Sequence, residues 1–176
     1  MRSIFALFIL ALVCTGCKKE DSIQTYFVEH QERPDYSVVD ISSSLLDLDK
    51  MDLNTEEKEA LDSFDKIHVL IYKSSDSTQA EYEKELKAIN KIFRNEAYPE
   101  LFVLNDKSMN FKIHSVGESE EVDEFIVLVN SNQMGFAAIR VLGDDMDANK
   151  MATLYAKIQS SNVNNDKLKG IMNFLQ

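Results

Sequence analysis

The sequence predicts an α+β domain with a largely antiparallel or mixed sheet of about five to six strands and helices mainly on one face. Three observations lead to this class. Helical and strand-like patterns alternate through the first half of the chain. Four strand-like segments then follow one another within residues 100–142. The linkers between these four segments are short, and short linkers force neighbouring strands to run antiparallel.

A helix opens the predicted domain, and a strand follows it. Apolar, aromatic and His residues recur at the i, i+3, i+4 and i+7 spacing of one helical face: Ile23, Tyr26, Phe27 and His30. This pattern ends before Pro34. A residue that precedes a proline rarely adopts the helical conformation, so the helix is predicted to end there. Residues 36–42 (YSVVDIS) are rich in β-branched side chains and predict the first strand of the sheet.

A second helix and a central strand come next. Asn54 and Glu57 can form a capping box at the start of a helix over residues 56–64. Residues 66–73 (KIHVLIYK) are apolar on both faces apart from His68. Apolar residues on both faces are typical of a strand that is covered on both sides.

The third helix has the clearest apolar face in the chain. Thr78 and Glu81 predict a capping box at its start. The apolar face consists of Tyr82, Leu86, Ile89 and Phe93. The predicted solvent face consists of Glu83, Lys84, Glu85, Lys87 and Lys91. Such an amphipathic helix packs one side on a sheet.

Four strands and two helices complete the chain. The strands are predicted at residues 100–104, 109–116, 124–130 and 135–142. Asp147 can cap a helix with Met151, Leu154, Tyr155 and Ile158 on one side. Residues 161–176 predict a final amphipathic helix with Leu168, Ile171, Met172 and Leu175 on its apolar side. The single α+β domain therefore spans residues 25–160, and the order of its strands stays open.

The N-terminus has the features of a bacterial lipoprotein signal. Arg2 precedes an apolar run over residues 4–13, which is too short to span a bilayer because a spanning helix needs about 20 residues. The following Cys14-Thr15-Gly16-Cys17 resembles a lipobox. The resemblance implies that residues 1–16 are a signal peptide and that Cys17 becomes the new N-terminus, lipidated with acyl chains such as palmitate. Residues 17–24 then form the lipidated cysteine and its tether.

The residues after Cys17 indicate which membrane would hold the lipoprotein. Lys18 stands where enterobacterial lipoproteins that stay in the inner membrane carry Asp, so we expect an outer-membrane lipoprotein. Residues 18–21 (KKED) also resemble the charged tethers that export lipoproteins to the cell surface in some Bacteroidetes. A plain solvated spacer is the alternative. The periplasmic face and the cell surface therefore both stay open.

The composition describes an acidic protein. The full chain has a net charge of −11, and removal of Arg2 with the signal peptide makes it −12. An acidic surface repels phosphate backbones and anionic headgroups, and the sequence has no basic stripe with interleaved aromatic residues. We therefore expect no nucleic-acid partner. Loss of Cys14 and acylation of Cys17 would also leave no free thiol for catalysis or zinc binding.

No catalytic residue, cofactor site or metal site is predicted. His30, His68 and His114 lie on three different elements without the spacing of a metal-binding pair. Residues 145–149 begin like a calcium loop, but Lys150 and Ala156 replace the glycine and glutamate that the loop requires. The chain also lacks a Gly-x-Ser-x-Gly elbow. The acidic run at residues 118–124 is typical of a solvated face.

Arg140 is the only charge in the apolar strand at residues 136–142. One interpretation is a packing arginine that pairs with Glu124 across a hairpin in which facing residue numbers sum to about 265 and Asn130 opposes Gly135. The other is an interaction patch formed by Arg140 with Asp144 and Asp145, which are predicted to lie in a turn.

Several strings between Thr25 and Ser160 resemble the bacterial family called domain of unknown function 4252, which is common in Bacteroidetes. They are SVVDISSSLL (37–46), DKIHVLIYK (65–73), YPELFVLND (98–106) and GFAAIRVLGDDMDANKMATL (135–154). The resemblance implies an exported protein or lipoprotein, and it supplies no active site to transfer.

These observations predict a non-enzymatic envelope lipoprotein that is anchored in the outer membrane and binds a protein partner through its sheet or acidic face. A regulatory or sensory accessory of an envelope stress pathway is the second hypothesis. A hydrolase is the third, and it requires residues that converge only in the folded chain. A deep polar pocket with a His and a carboxylate would favour this third hypothesis.

Overall fold

The structure is a computed structural model that describes residues 21–46, 48, 51–74, 78–105, 110–117, 122–131 and 135–160. The predicted signal peptide, Cys17 and the predicted C-terminal helix lie outside these residues. No helix in the described ranges is long and apolar enough to cross a membrane.

Six antiparallel strands form one sheet in the described part of the chain. They are β1 (Tyr36–Ser42), β2 (Phe64–Lys73), β3 (Glu100–Asn105), β4 (Asn110–Gly117), β5 (Val122–Ser131) and β6 (Gly135–Met146). Their order across the sheet is β1-β2-β6-β5-β4-β3. The last of these six strands, β6, therefore lies inside the sheet, and β1 and β3 form its two edges.

Within the described ranges, four helices connect and cover the strands: α1 (Ile23–His30), α2 (Thr55–Asp62), α3 (Gln79–Ile92) and α4 (Ala148–Ser160). A short 3-10 helix at Ser43–Leu45 follows β1. The predicted capping box of Asn54 and Glu57 is confirmed at the start of α2. The predicted cap of α4 is also confirmed, since Asp147 accepts hydrogen bonds from the backbone N–H groups of Asn149 and Lys150. The predicted capping box at Thr78 is wrong, because its side chain makes no capping bond to α3.

The helices are divided between the two faces of the sheet, two on each. Leu70, Phe136 and Ala138 pack with α1 and α3 in one core. Their strand neighbours Val69 and Ala137 point the other way and pack with α2 and α4 in a second core. The α+β class is confirmed, but the expectation of helices mainly on one face is wrong. Both faces of β2 are apolar, and each face needs its own cover.

The ends of several elements differ from the sequence prediction. Helix α1 begins at Ile23, which is fully buried, and its N-cap is Ser22. Strand β6 continues to Met146, through the residues that were predicted as a turn. The pairing of β5 with β6 is irregular between Val122 and Glu124, so that Val122 pairs with Met146. Strand β6 therefore continues beyond Leu142, the residue paired with Glu124.

The hairpin of β5 and β6 has a register one residue away from the predicted one. Asn130 pairs with Phe136, and Gly135 pairs with Ser131. The numbers of facing residues therefore sum to 266 rather than about 265. Gly135 has a φ of +112°, and this backbone conformation is accessible to glycine and rare for other residues.

Candidate functional site

Edge strand β3 exposes three large apolar side chains. Leu101 is 48% exposed, Phe102 is 51% exposed and Leu104 is 54% exposed. No strand pairs with its outer edge among the described residues. Soluble proteins usually protect such edges with charges, prolines or bulges. In β3, Glu100 and an irregularity between Glu100 and Phe102 lie at the start of the strand, whereas Phe102–Asn105 pair with β4 in regular register. This edge is therefore the part of the described surface best suited to bind an extended peptide segment.

On the sheet face of the second core, apolar side chains of paired residues form rows across neighbouring strands, and these rows continue to β3. One row runs from Ala137 through Val129 and Phe111 to Leu104. Ala137 and Val129 are buried, whereas Phe111 is half-buried and Leu104 is exposed. The sheet face thus remains apolar while its cover decreases towards the edge. A partner segment at β3 would extend a hydrophobic surface that already exists.

The opposite edge strand differs in chemistry. Strand β1 exposes Ser37, Asp40 and Ser42, and Val38 is its exposed large apolar residue. A polar, charged edge discourages pairing with another strand. The two edges are therefore not equivalent.

A buried carboxylate ties α1, β1 and α3 together. Glu85 accepts hydrogen bonds from the hydroxyl groups of Tyr26 at 3.3 Å and Tyr36 at 3.2 Å. Its other oxygen accepts one from Arg33 Nη1 at 2.9 Å. His30 Nε2 lies 3.2 Å from the carboxylate. We call Glu85, Tyr26, Tyr36, Arg33 and His30 the Glu85 cluster.

Charge and burial fix the protonation states of Glu85, Tyr26 and Tyr36 at neutral pH. Burial alone would raise the pKa of Glu85, but the hydrogen bond and charge of Arg33 outweigh it and hold this pKa below its usual value. Burial raises the pKa values of Tyr26 and Tyr36 well above the ordinary value for tyrosine. At neutral pH the carboxylate is therefore ionised, and both hydroxyl groups keep their protons.

The Glu85 cluster contains the His and carboxylate that the hydrolase hypothesis requires, but their surroundings are those of a structural cluster. The side chains of His30 and Glu85 are 12% and 8% exposed. The ring of Tyr26 stacks on His30 at 3.9 Å between centroids. Tyrosine and arginine donors already occupy the carboxylate. The arrangement therefore holds α1 against the sheet and α3.

Arg140 lies buried under α1 and pairs with Glu124, as the packing interpretation predicts. Its Nε and Nη2 donate to the two carboxylate oxygens, with a distance of 2.9 Å from Nη2 to Oε2. The guanidinium carbon lies 5.3 Å from the centre of the Phe27 ring. Gln24 Nε2 donates to Glu124 at 3.3 Å. Two residues of α1 therefore cover the ion pair.

Asp144 and Asp145 do not join Arg140 in one exposed patch. Both aspartates are exposed near the end of β6, whereas Arg140 is 9% exposed. Asp145 has a φ of +52°, in the left-handed region that Asp tolerates better than most residues. Arg140 is therefore buried while Asp144 and Asp145 are exposed, which does not fit the predicted interaction patch of these three residues.

The remaining two histidines are held by separate packing contacts. His114 Nδ1 lies 2.9 Å from the carbonyl oxygen of Tyr98, and its ring stacks on Phe93. His68 Nε2 lies 3.3 Å from Asp40 Oδ1 without hydrogen-bond geometry. Burial lowers the pKa of His68, which favours the neutral ring. Among the described residues, no group of three His, Cys, Asp or Glu side chains is arranged to hold a metal ion.

Sequence reasoning missed Glu85, which it placed on the solvent face of α3. Glu85 lies three residues after Tyr82 and four before Ile89, so it shares their buried face. The tyrosines and Arg33 that satisfy it are distant in sequence. Its helical position was the available signal, but its charge suggested exposure.

Comparison with known proteins supports one relationship. No curated protein and no solved structure matches the chain significantly. The sequence model of one family, described as a domain of unknown function, matches residues 26–154. This range begins within α1 and ends within α4, so it contains the whole sheet. The chain therefore belongs to the family called domain of unknown function 4252.

Proposed function

We propose that this protein is a lipid-anchored, non-enzymatic binding module of the outer membrane, and that its edge strand β3 pairs with an extended segment of a protein partner. The lipobox-like sequence that ends at Cys17 supports the anchor. The exposed apolar side chains of Leu101, Phe102 and Leu104 carry the binding part of the proposal.

Strand addition suits this edge physically. Main-chain hydrogen bonds to an added strand provide affinity, and alternate side chains provide specificity. Phe102 and Leu104 continue the rows of the half-buried Ile113 and Phe111 of β4, so the side chains of an added strand could extend both rows and pack beside Phe102 and Leu104. The polar edge at β1 offers no comparable surface.

Site-specific photo-crosslinking in cells tests this function. A photoreactive phenylalanine at position 102 should capture a protein partner, because that side chain lies on the proposed contact surface. The same residue at position 155 is the matched control, since Tyr155 is 62% exposed and lies on helix α4 rather than on the edge strand. A captured band at 102 that is absent at 155 is the expected result, with adduct masses identified by mass spectrometry.

A substitution in the edge strand provides the second half of the test. Leu104→Lys places a charge on the exposed edge and should abolish capture at position 102 without lowering the melting temperature. Val38→Lys on β1 introduces the same charge at the other edge and should leave capture unchanged. Equal capture at 102 and 155, or undiminished capture in the Leu104→Lys protein, would contradict strand addition at β3.

A further inference from the structure

Helix α3 carries a basic stripe on its exposed side, although the protein as a whole is acidic. Lys84, Lys87 and Lys91 recur at helical spacing, and Arg94 follows just after the helix end. All four are exposed. We call these four residues the basic stripe. The opposite side of α3 is buried, so the fold directs the stripe towards solvent.

The basic stripe lines a shallow groove of about 700 Å³. Leu86, Ala88 and Asn90 also line it, and Glu83 is the one carboxylate among its lining residues. Lys112 donates to Asn90 at 2.8 Å and adds a further positive charge at this surface. A full chain of net charge −11 thus presents a local positive surface.

The chain enters the fold beside this stripe. Asp21 Oδ2 lies 2.7 Å from Lys91 Nζ. Two residues later, Ile23 is fully buried, and its N–H donates to the Tyr98 hydroxyl at 3.1 Å. Cys17 precedes Asp21 by four residues, and four extended residues reach at most about 14 Å. A membrane anchor at Cys17 would therefore hold the basic stripe close to the lipid headgroups.

We propose that the basic stripe binds the anionic phospholipid headgroups of the membrane that holds Cys17, and so fixes the orientation of the domain. This inference rests on the lipidation in the proposed function. Basic residues close to an anionic surface add to the affinity that acyl chains supply. The acidic remainder of the protein is repelled by the same surface. The charge asymmetry therefore selects one orientation, with α3 on the membrane and α2 and α4 on the far side of the sheet.

Reversible membrane partitioning tests this inference without depending on lipidation in cells. Cys17 is the only cysteine in residues 17–176, so one myristoyl chain can be coupled to it chemically. A single such chain gives only marginal membrane binding, and the remaining affinity then reports the protein surface. Binding is measured by co-sedimentation with vesicles of phosphatidylcholine alone and with vesicles that also contain phosphatidylglycerol.

The myristoylated wild-type chain should prefer the phosphatidylglycerol vesicles, and added salt should reduce this preference. The Lys84→Gln/Lys87→Gln/Lys91→Gln variant should lose at least about tenfold in affinity for them, because each basic residue near an anionic surface contributes about fivefold. The matched control is Lys58→Gln/Lys150→Gln/Lys157→Gln, which removes the same charge from α2 and α4. It should bind almost like the wild type.

Two results would overturn the inference. One is a wild-type preference for the neutral vesicles, as expected for a uniformly acidic surface. The other is an equal loss in the two triple variants, which would show that net charge rather than the stripe controls binding. Melting curves of both variants check that each remains folded. Absence of acylation in cells would instead contradict the proposed function, because the chain in this experiment is attached chemically.

Discussion

Burial determines how the Arg140–Glu124 ion pair acts in this protein. The side chains of Arg140 and Glu124 are 10% and 5% exposed. Water therefore cannot solvate the remaining charge when its partner is removed. Loss of one partner from a buried pair is far more costly than loss of both, because the remaining charge stays desolvated. The pair therefore works as a unit that fixes β5, β6 and α1 relative to one another.

Arg140→Met should lower the free energy of unfolding by about 3–5 kcal/mol, because it leaves the Glu124 carboxylate buried and unpaired. The double variant Arg140→Met/Glu124→Leu should recover most of this loss. Denaturant unfolding measures both. Lys58→Met is the control, since Lys58 and Asp62 are about two-thirds exposed and form a pair worth less than about 1 kcal/mol. A loss for Arg140→Met as small as that of Lys58→Met would contradict this role.

The partner of Arg140 could be predicted from sequence because hairpin pairing is local. Counting residues across the β5–β6 turn identified Glu124 even though the predicted register was one residue off. Arg140 pairs with Ile126, and Glu124 is its diagonal neighbour on the same face. The Glu85 cluster could not be predicted in this way. The side chains that donate to Glu85 come from α1, β1 and the segment between them. No local sequence pattern predicts that they contact Glu85 on α3.

Among the elements, the β5–β6 hairpin depends on the glycine at its turn. A Cβ atom at Gly135 would lie 2.0 Å from the carbonyl oxygen of Tyr72 on β2, and the φ of this residue is positive. Gly135→Ala should therefore destabilise the protein by at least about 1–3 kcal/mol, the range for a strained backbone position. Thermal unfolding followed by circular dichroism measures it. An unchanged melting temperature would show that β2 and β6 can separate locally without cost.

The type and approximate position of each element were predictable because periodicity is local, whereas strand order depends on contacts between distant segments. The β-branched content of residues 36–42 predicted β1 correctly, and the position of β2 between two other strands agrees with its two apolar faces. Nothing in the spacing indicated that β6 would lie between β2 and β5. The apolar character of both faces of β2 did require cover on both sides, and the division of the helices follows from it.

At the scale of the whole molecule, the anchor at Cys17 is the prediction with the widest consequence. Cys17→Ser should abolish acylation and leave an unprocessed or soluble product, because the acceptor thiol is gone. Metabolic labelling with an alkyne fatty acid measures it. Cys14→Ser is the matched control and should keep the label, since Cys14 would be removed with the signal peptide. Equal labelling of the wild type and the Cys17→Ser protein would disprove the anchor.

Net charge does not describe how charge is distributed over the surface of the whole molecule. A sum over all residues predicted repulsion from anionic headgroups, but it cannot show how the charges are distributed. The fold buries the apolar side of α3 and leaves Lys84, Lys87 and Lys91 exposed together. Local charge therefore differs in sign from the total. The sequence predicted these three lysines on the solvent face together with Glu83 and Glu85, and the burial of Glu85 removes one of the two carboxylates from that face.

The central position of β6 also determines when the chain can fold. Ile67 of β2 pairs with Val141, so the middle of the sheet joins segments that are far apart in sequence. Non-local pairing of this kind slows folding, because a long loop must close before the contacts form. Phe136 and Ala138 contribute to one core and Ala137 and Ile139 to the other, so both cores remain incomplete without β6. If the chain is exported N-terminus first, as the proposed function requires, both cores would be completed only after residues 135–146 have emerged, and export would precede folding.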